Sequence, residues 1–314
     1  MSKCLPYNKI IPYIKELSKN YNVYFPANID GVIKFTNNHN EIKNFKWGLS
    51  HIPPKELLLP AFEDILVKTD SEKISAPNIK KKHNIIFGLH PLDIKAWSLL
   101  CKIFNQKYPD LYFNRRRKNI FIIGMGDYVF TEDFACDIFL ASLGDTYEVV
   151  INNKKAEFLL DFPRIFSRSA FVGERAIYEA DPIFSNLEKL SKAIEQSRAS
   201  HIWDDLAKID LGCGNCSYVC PLCFCFDSSD HIKNDSRVFA KRTKHWTSCY
   251  LKSFFETAGG NFKPKLRDRI YNWYYHKFVR MPREIGHVGC VDCGRCIKSC
   301  PAKINFKHVL KSLL

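Results

Sequence analysis

The sequence predicts an α+β fold. An N-terminal α/β domain with a short parallel sheet spans 1–200, and a mainly helical, cysteine-rich domain spans 201–314. Three observations carry this. A strand–helix–strand pattern runs from Asn84 to Gly124, and such a pattern demands a parallel crossover of right-handed sense. Ten of the thirteen cysteines lie between Cys213 and Cys300. Two cysteine motifs, each closed by a Cys-Pro pair, stand roughly seventy residues apart with helical sequence between them, too far for a short hairpin to join them.

The elements follow in order. Short apolar runs at Val23-Tyr24-Phe25 and Val32-Ile33-Lys34-Phe35, separated by Asn, Pro and Gly, read as strands, with a Lys-rich helix near Ile10–Leu17. The tract Lys80-Lys81-Lys82 reads as a solvated connection. Asn84–Leu89 is a buried strand, and Pro91 suits the first turn of a helix. Ile94, Trp97, Leu100/Cys101 and Phe104 mark the apolar face of that helix. Cys101 reads as core packing. Asn119–Gly124 is the second buried strand. Gly124-Met125-Gly126 lacks the third glycine of a dinucleotide loop, so a simple turn is expected there. Tyr147–Ile151 is a further strand entered through Gly144-Asp145. Leu187, Leu190 and Ile194 share a helix face, and Lys265–Phe278 forms a helix bounded by Pro264 and Pro282 with Leu266, Ile270, Trp273 and Phe278 as its apolar set.

Composition narrows the function classes. Hydrophobic residues at 46% and aromatics at 14% provide for a sizeable core. The first residues are polar and broken by Pro6 and Pro12, unlike a signal peptide, and no apolar run reaches membrane-spanning length. A cytoplasmic protein without a membrane segment is the expectation, and clustered cysteines there read as metal ligands rather than disulfides. The formal charge is +14. Residues 261–314 hold twelve Lys/Arg against Asp268, Glu284 and Asp292, a net +9. Such a face could offset the negative charge of bound clusters, dock an acidic redox partner or meet nucleic acid. The last is least favoured, because no nucleic-acid module accompanies the charge.

The chemistry sits in Cys290-x2-Cys293-x2-Cys296-x3-Cys300-Pro301, the bacterial-ferredoxin spacing in which three cysteines wrap one [4Fe–4S] cubane and the fourth reaches a second. A partner motif, Cys213-x2-Cys216-x3-Cys220-Pro221, carries Asp210 where its first cysteine belongs. Under cross-ligation Cys290, Cys293, Cys296 and Cys220 hold one cluster. Cys213, Cys216 and Cys300 hold the other, with position 210 as its fourth site. Structural zinc is the competing reading, but three consecutive motif cysteines ending in Cys-Pro disfavour two separated pairs. Asp210 either ligates the open iron, leaves it labile as [3Fe–4S], caps the next segment, or yields to another thiol. Cys223, Cys225 and Cys249 are the thiols at hand; they form a further redox or metal site, or pack as buried thiols.

At these residues the chain resembles the iron–sulfur protein family that includes the beta subunit of sulfhydrogenases and the iron–sulfur component of anaerobic sulfite reductases. The resemblance runs through WDDLAKIDLGCGNCSYVCPLCFCFD and WTSCYLKSFFETAGGNFKPKLRDRIYNWYYHKFVRMPREIGHVGCVDCGRCIKSCP, with FGLHPLDIKAW and FLASLGDTYEVVI upstream. It implies a dicluster, helical-ferredoxin C-terminal domain on an α/β N-terminal domain. It also implies two [4Fe–4S] clusters that relay single electrons. Their partners would be a reductase subunit that binds flavin and NAD(P), a catalytic hydrogenase or sulfite-reductase subunit, and ferredoxin. The alternative is a catalytic component that itself binds flavin or reduces a small sulfur compound near Cys223, Cys225 and Cys249. The chain departs from the family pattern at Asp210, at His90-Pro91-Leu92-Asp93 in place of Arg-Pro-Cys-Asp, and in a shortened loop at 126–135 that lacks Cys-Phe-Cys.

Overall fold

The computed structural model describes residues 2–69, 73–77, 83–129, 135–169, 176–179, 181–232 and 238–314. The tract Lys80-Lys81-Lys82 and the acidic pair Glu132 and Asp133 lie outside the described residues. The chain is a mixture of helix and sheet and divides into two compact units. One comprises residues 1–54, 81–180 and 291–293; the other comprises 55–80, 181–290 and 294–314.

The first unit is built on an eight-stranded sheet in the order Ser167–Ser169, Ser2–Pro6, Thr146–Ile151, Ile138–Ser142, Ile120–Gly126, Asn84–Leu89, Asn22–Ile29, Val32–Thr36. The centre is parallel: Ile138–Ser142, Ile120–Gly126, Asn84–Leu89 and Asn22–Ile29 run the same way. The flanking pairings are antiparallel. The two central strands are buried almost throughout, which matches their unbroken Ile/Phe runs. Helix Pro91–Phe104 begins with Pro at its first turn and His90 at its N-cap, where Nδ1 accepts the Leu92 N–H at 3.2 Å. Helix Ile10–Asn20 buries Tyr13, whose hydroxyl donates to the Leu159 carbonyl at 2.8 Å. Cys101 is half-buried, and burial pushes its thiol up.

One expectation is corrected here. Gly124 and Gly126 do not form a turn; they end strand Ile120–Gly126. A Cβ on Gly124 would stand 2.4 Å from Ile94 Cδ1, and one on Gly126 would stand 2.6 Å from Pro91 Cγ. Both glycines therefore serve close packing of the crossover helix on its strand.

The second unit combines helices with an antiparallel sheet ordered Phe226–Ile232, Val238–Trp246, Phe62–Thr69, Ile74–Ser75. Its core gathers Trp203, Ile270, Trp273, Tyr274, Phe278 and Leu310. Helix Ile202–Ile209 packs on helix Leu266–Tyr275, and helix Leu187–Gln196 packs on the segment that follows. The long helix does not stop before Pro282 as the sequence suggests. It widens into a π turn at His276–Arg280 and resumes as Met281–Ile285, with Pro282 in the tolerated first turn. Among the described residues no helix is long and apolar enough to cross a membrane.

Candidate iron–sulfur centre

The two cysteine motifs fold as one backbone design used twice. Residues 210–221 superimpose in pattern on 290–301. Gly212 and Asp292 share a left-handed φ of 63° and 59°, and Gly214 and Gly294 share one of 71° and 69°. Each second left-handed residue caps a one-turn helix, Asn215–Tyr218 or Arg295–Lys298. The hydrogen bonds repeat as well. Ser217 N–H donates to Gly214 O as Ile297 N–H does to Gly294 O, and Cys220 N–H to Ser217 O as Cys300 N–H does to Ile297 O. Such a loop turns its cysteines inward over a few residues, as cluster ligation needs. The short helices pack on each other, and the Asn215 side chain ties them by donating Nδ2–H to Ser299 O at 2.8 Å.

One cavity is lined by Asp210, Cys213, Cys216 and Cys300, with Tyr250 among its walls. These are the four positions that cross-ligation groups together. Asp210 follows helix Ile202–Ile209 as its C-cap, and its Oδ1 accepts the Gly212 N–H at 2.6 Å. Burial raises its carboxyl, while the Gly212 N–H and the Arg269 guanidinium pull the other way. Burial raises the Cys216 thiol, and the neighbouring Cys296 adds to the rise. Both effects belong to a pocket that disfavours uncompensated negative charge and would accept a cationic iron.

Around Cys220 lies a second group. Lys277, 4% exposed, donates Nζ–H to Cys220 Sγ at 3.3 Å and to Gly289 O at 2.8 Å. Lys55, 2% exposed, donates to the carbonyls of Cys220 (2.7 Å), Cys223 (2.9 Å) and Ser217 (3.3 Å), and lies 4.6 Å over the Trp246 ring. A hydrogen bond from Cys223 and the charges of Lys277 and Lys55 hold the Cys220 thiol well below its ordinary range, and Cys223 rises correspondingly. Cys225 and Cys249 form another thiol pair. A hydrogen bond from Cys249 brings Cys225 down to about 6, while Cys249 is pushed up. The pair sits where strands Phe226–Ile232 and Val238–Trp246 meet, and Thr247 N–H donates to Cys225 O at 3.1 Å.

Among the described residues no three Cys, His, Asp or Glu side chains converge as ligands of a single metal ion. The residues present nonetheless fit a cluster: repeated left-handed loops, seven thiols on them, and buried ammonium groups to balance thiolate charge.

Sequence reading missed Lys55 and Lys277. For Lys277 a signal existed, since it falls on the same helical stripe as Ile270 and Trp273, where a lysine must find a buried partner. Lys55, in Ile-Pro-Pro-Lys-Glu, gave none. Of the family departures, His90 stacks on Trp47 with centroids 5.5 Å apart, Asp93 is fully buried, and residues 130–134 of the loop at 126–135 lie outside the described residues.

A family model for the 4Fe-4S dicluster domain matches residues 210–304, the span that holds both loops. No solved structure matches the chain. Over 95% of its length the chain is 31% identical to sulfhydrogenase 2 subunit beta of Pyrococcus furiosus, covering 92% of that protein. Relatedness along nearly the whole of both chains, with the doubled cysteine loop at its centre, makes this protein a member of the sulfhydrogenase beta-subunit family of iron–sulfur proteins.

Proposed function

We propose that this chain is the electron-transfer subunit of a cytoplasmic, anaerobic oxidoreductase complex of the sulfhydrogenase or sulfite-reductase type. It relays single electrons between a reductase subunit that binds flavin and NAD(P) and the complex's catalytic subunit, with ferredoxin as a further donor. The observation that supports it most is the doubled loop, together with the cavity that Cys300 of the second motif lines beside Cys213 and Cys216 of the first. Cys290, Cys293, Cys296 and Cys220 would hold one [4Fe–4S] cluster. Cys213, Cys216, Cys300 and the carboxylate of Asp210 would hold the other, either as [4Fe–4S] or as [3Fe–4S]. When bound, such clusters take up and release one electron each. The chain's own residues supply the thiolates and, through the buried Lys55 and Lys277, cations that balance their charge.

A reductive titration of the cluster-loaded chain tests this reading. It should take up about two electrons in one-electron steps and return them to a one-electron acceptor without consuming a substrate. Uptake of zinc without sulfide would overturn it. The second reading, a chain that itself reduces a small sulfur compound, draws on the Cys225–Cys249 contact and the lowered Cys225 thiol. Turnover of such a compound by the isolated chain, abolished by Cys225→Ser, would favour it.

A further inference from the structure

We propose that Lys277 sets the two clusters apart in potential. Its buried ammonium, hydrogen-bonded to the Cys220 sulfur, would raise the reduction potential of the cluster shared by Cys220 and Cys290 more than that of the Asp210 cluster. This rests on the reading of the cysteines as cluster ligands and adds to it a residue that tunes one of the two clusters.

The geometry around Lys277 is constructed from several sides. The π turn His276–Arg280 gives the helix an extra residue at this point, and such wide turns recur at functional sites. Gly289, immediately before Cys290, clasps the lysine twice: its N–H donates to Lys277 O at 2.6 Å, and its carbonyl accepts from Lys277 Nζ at 2.8 Å. A Cβ on Gly289 would lie 3.0 Å from Lys277 Cα and 2.5 Å from Met281 Sδ, so the approach requires glycine. The remaining ammonium contact is Cys220 Sγ, and the Trp273 ring lies 5.1 Å away. Lys277 thereby ties the last cysteine of the first motif to Gly289, the residue before Cys290, and cross-ligation assigns Cys220 and Cys290 to one cluster.

Its charge has a reason to persist. Nζ donates to two acceptors, the Cys220 sulfur at 3.3 Å and the Gly289 carbonyl at 2.8 Å, and lies 5.1 Å from the Trp273 ring, surroundings suited to an ammonium. Neighbouring His276 is brought down to about 4, first by burial and then by Lys277 and Arg280, so it adds no second positive charge at neutral pH. Among the described residues no hydrogen bond runs from Lys277 to Cys213, Cys216 or Cys300. Net charge and hydrogen bonds to sulfur are among the main determinants of cluster potential. Reduction adds negative charge, which a fixed ammonium beside a ligand sulfur stabilises, most strongly at the nearer cluster. The Cys220/Cys290 cluster is therefore the one whose potential Lys277 raises more.

An EPR-monitored potentiometric titration of the cluster-loaded full chain tests this, comparing wild type with Lys277→Met and Lys277→Gln. The midpoint of the all-cysteine cluster should fall in Lys277→Met and fall less in Lys277→Gln, which keeps a donor without the charge. The Asp210 cluster should move less in both. Unmoved midpoints, or equal shifts at both clusters, would overturn the inference. Where the variants fail to retain iron, wild-type protein grown on 15N-lysine decides. Pulsed EPR of the reduced all-cysteine cluster should show a 15N coupling, and its absence would refute the contact. A wild type without any cluster signal would instead defeat the cluster reading on which the inference rests.

Discussion

Asp210 and Cys290 occupy the same place in the repeated loop, so a single substitution probes what the carboxylate does. Asp210→Cys should convert an atypical or [3Fe–4S] EPR signal into that of an ordinary [4Fe–4S] cluster. An unchanged spectrum would take Asp210 off the ligand set and leave it as the cap that its bond to the Gly212 N–H already makes it. Lys55 carries a second prediction at this scale. Lys55→Met keeps most of the volume but strips donors from the carbonyls of Ser217, Cys220 and Cys223. Ser217 O keeps the Cys220 N–H and Cys220 O keeps the Cys223 N–H, but Cys223 O loses its Lys55 donor, which should cost about 1–3 kcal/mol, read as a lower urea midpoint of the cluster-loaded chain, together with faster loss of iron. The cysteines were legible in the sequence because ligand spacing is a local property of one loop. Lys55 was not, because its partners lie far along the chain and nothing around it distinguishes a buried lysine from a solvated one.

The loop itself is the element whose construction can be tested by comparison of its two copies. Gly214 and Gly294 share the left-handed conformation, yet a Cβ on Gly294 meets nothing within 4 Å, while one on Gly214 falls 2.8 Å from Ser248 Cβ and Oγ. Gly294→Ala should therefore cost only backbone strain, about 1–2 kcal/mol. Gly214→Ala should lose more, because overpacking adds its own penalty of about 1–3 kcal/mol. Denaturant midpoints of the two variants check the order, and equal losses would mean that Ser248 gives way freely. The repeated sequence displayed both loops, but their shared backbone appears only in the dihedrals of Gly212 and Asp292, since an aspartate in a left-handed position leaves no mark on residue spacing. The helix that carries Lys277 was recognised from its apolar stripe, whereas its π turn was not. Pro282 reads as the helix's stop, and a proline in the tolerated first turn of the resumed helix leaves the same mark in the sequence.

Across the whole molecule, the formal charge of +14 and the net +9 within residues 261–314 favour an acidic partner. Electron transfer from a reduced acidic ferredoxin to the cluster-loaded chain should slow as ionic strength rises, and a salt-independent rate would argue against electrostatic docking. The parallel centre of the first unit was readable from two unbroken apolar strands and the helix between them. The antiparallel sheet of the second unit was not. Phe62–Thr69 finds its partner in Val238–Trp246, and none of the described residues with an assigned burial in that sheet is fully buried, so no hydrophobic alternation announced it. Membership of the family and the doubled loop converge on one claim, that this chain carries a pair of interlocked clusters. The most direct test is iron and acid-labile sulfide per chain, measured with EPR of the reduced protein. The account predicts about seven or eight irons with matching sulfide and signals from two clusters. A colourless protein holding zinc and no sulfide, or iron for only one cluster, would contradict it.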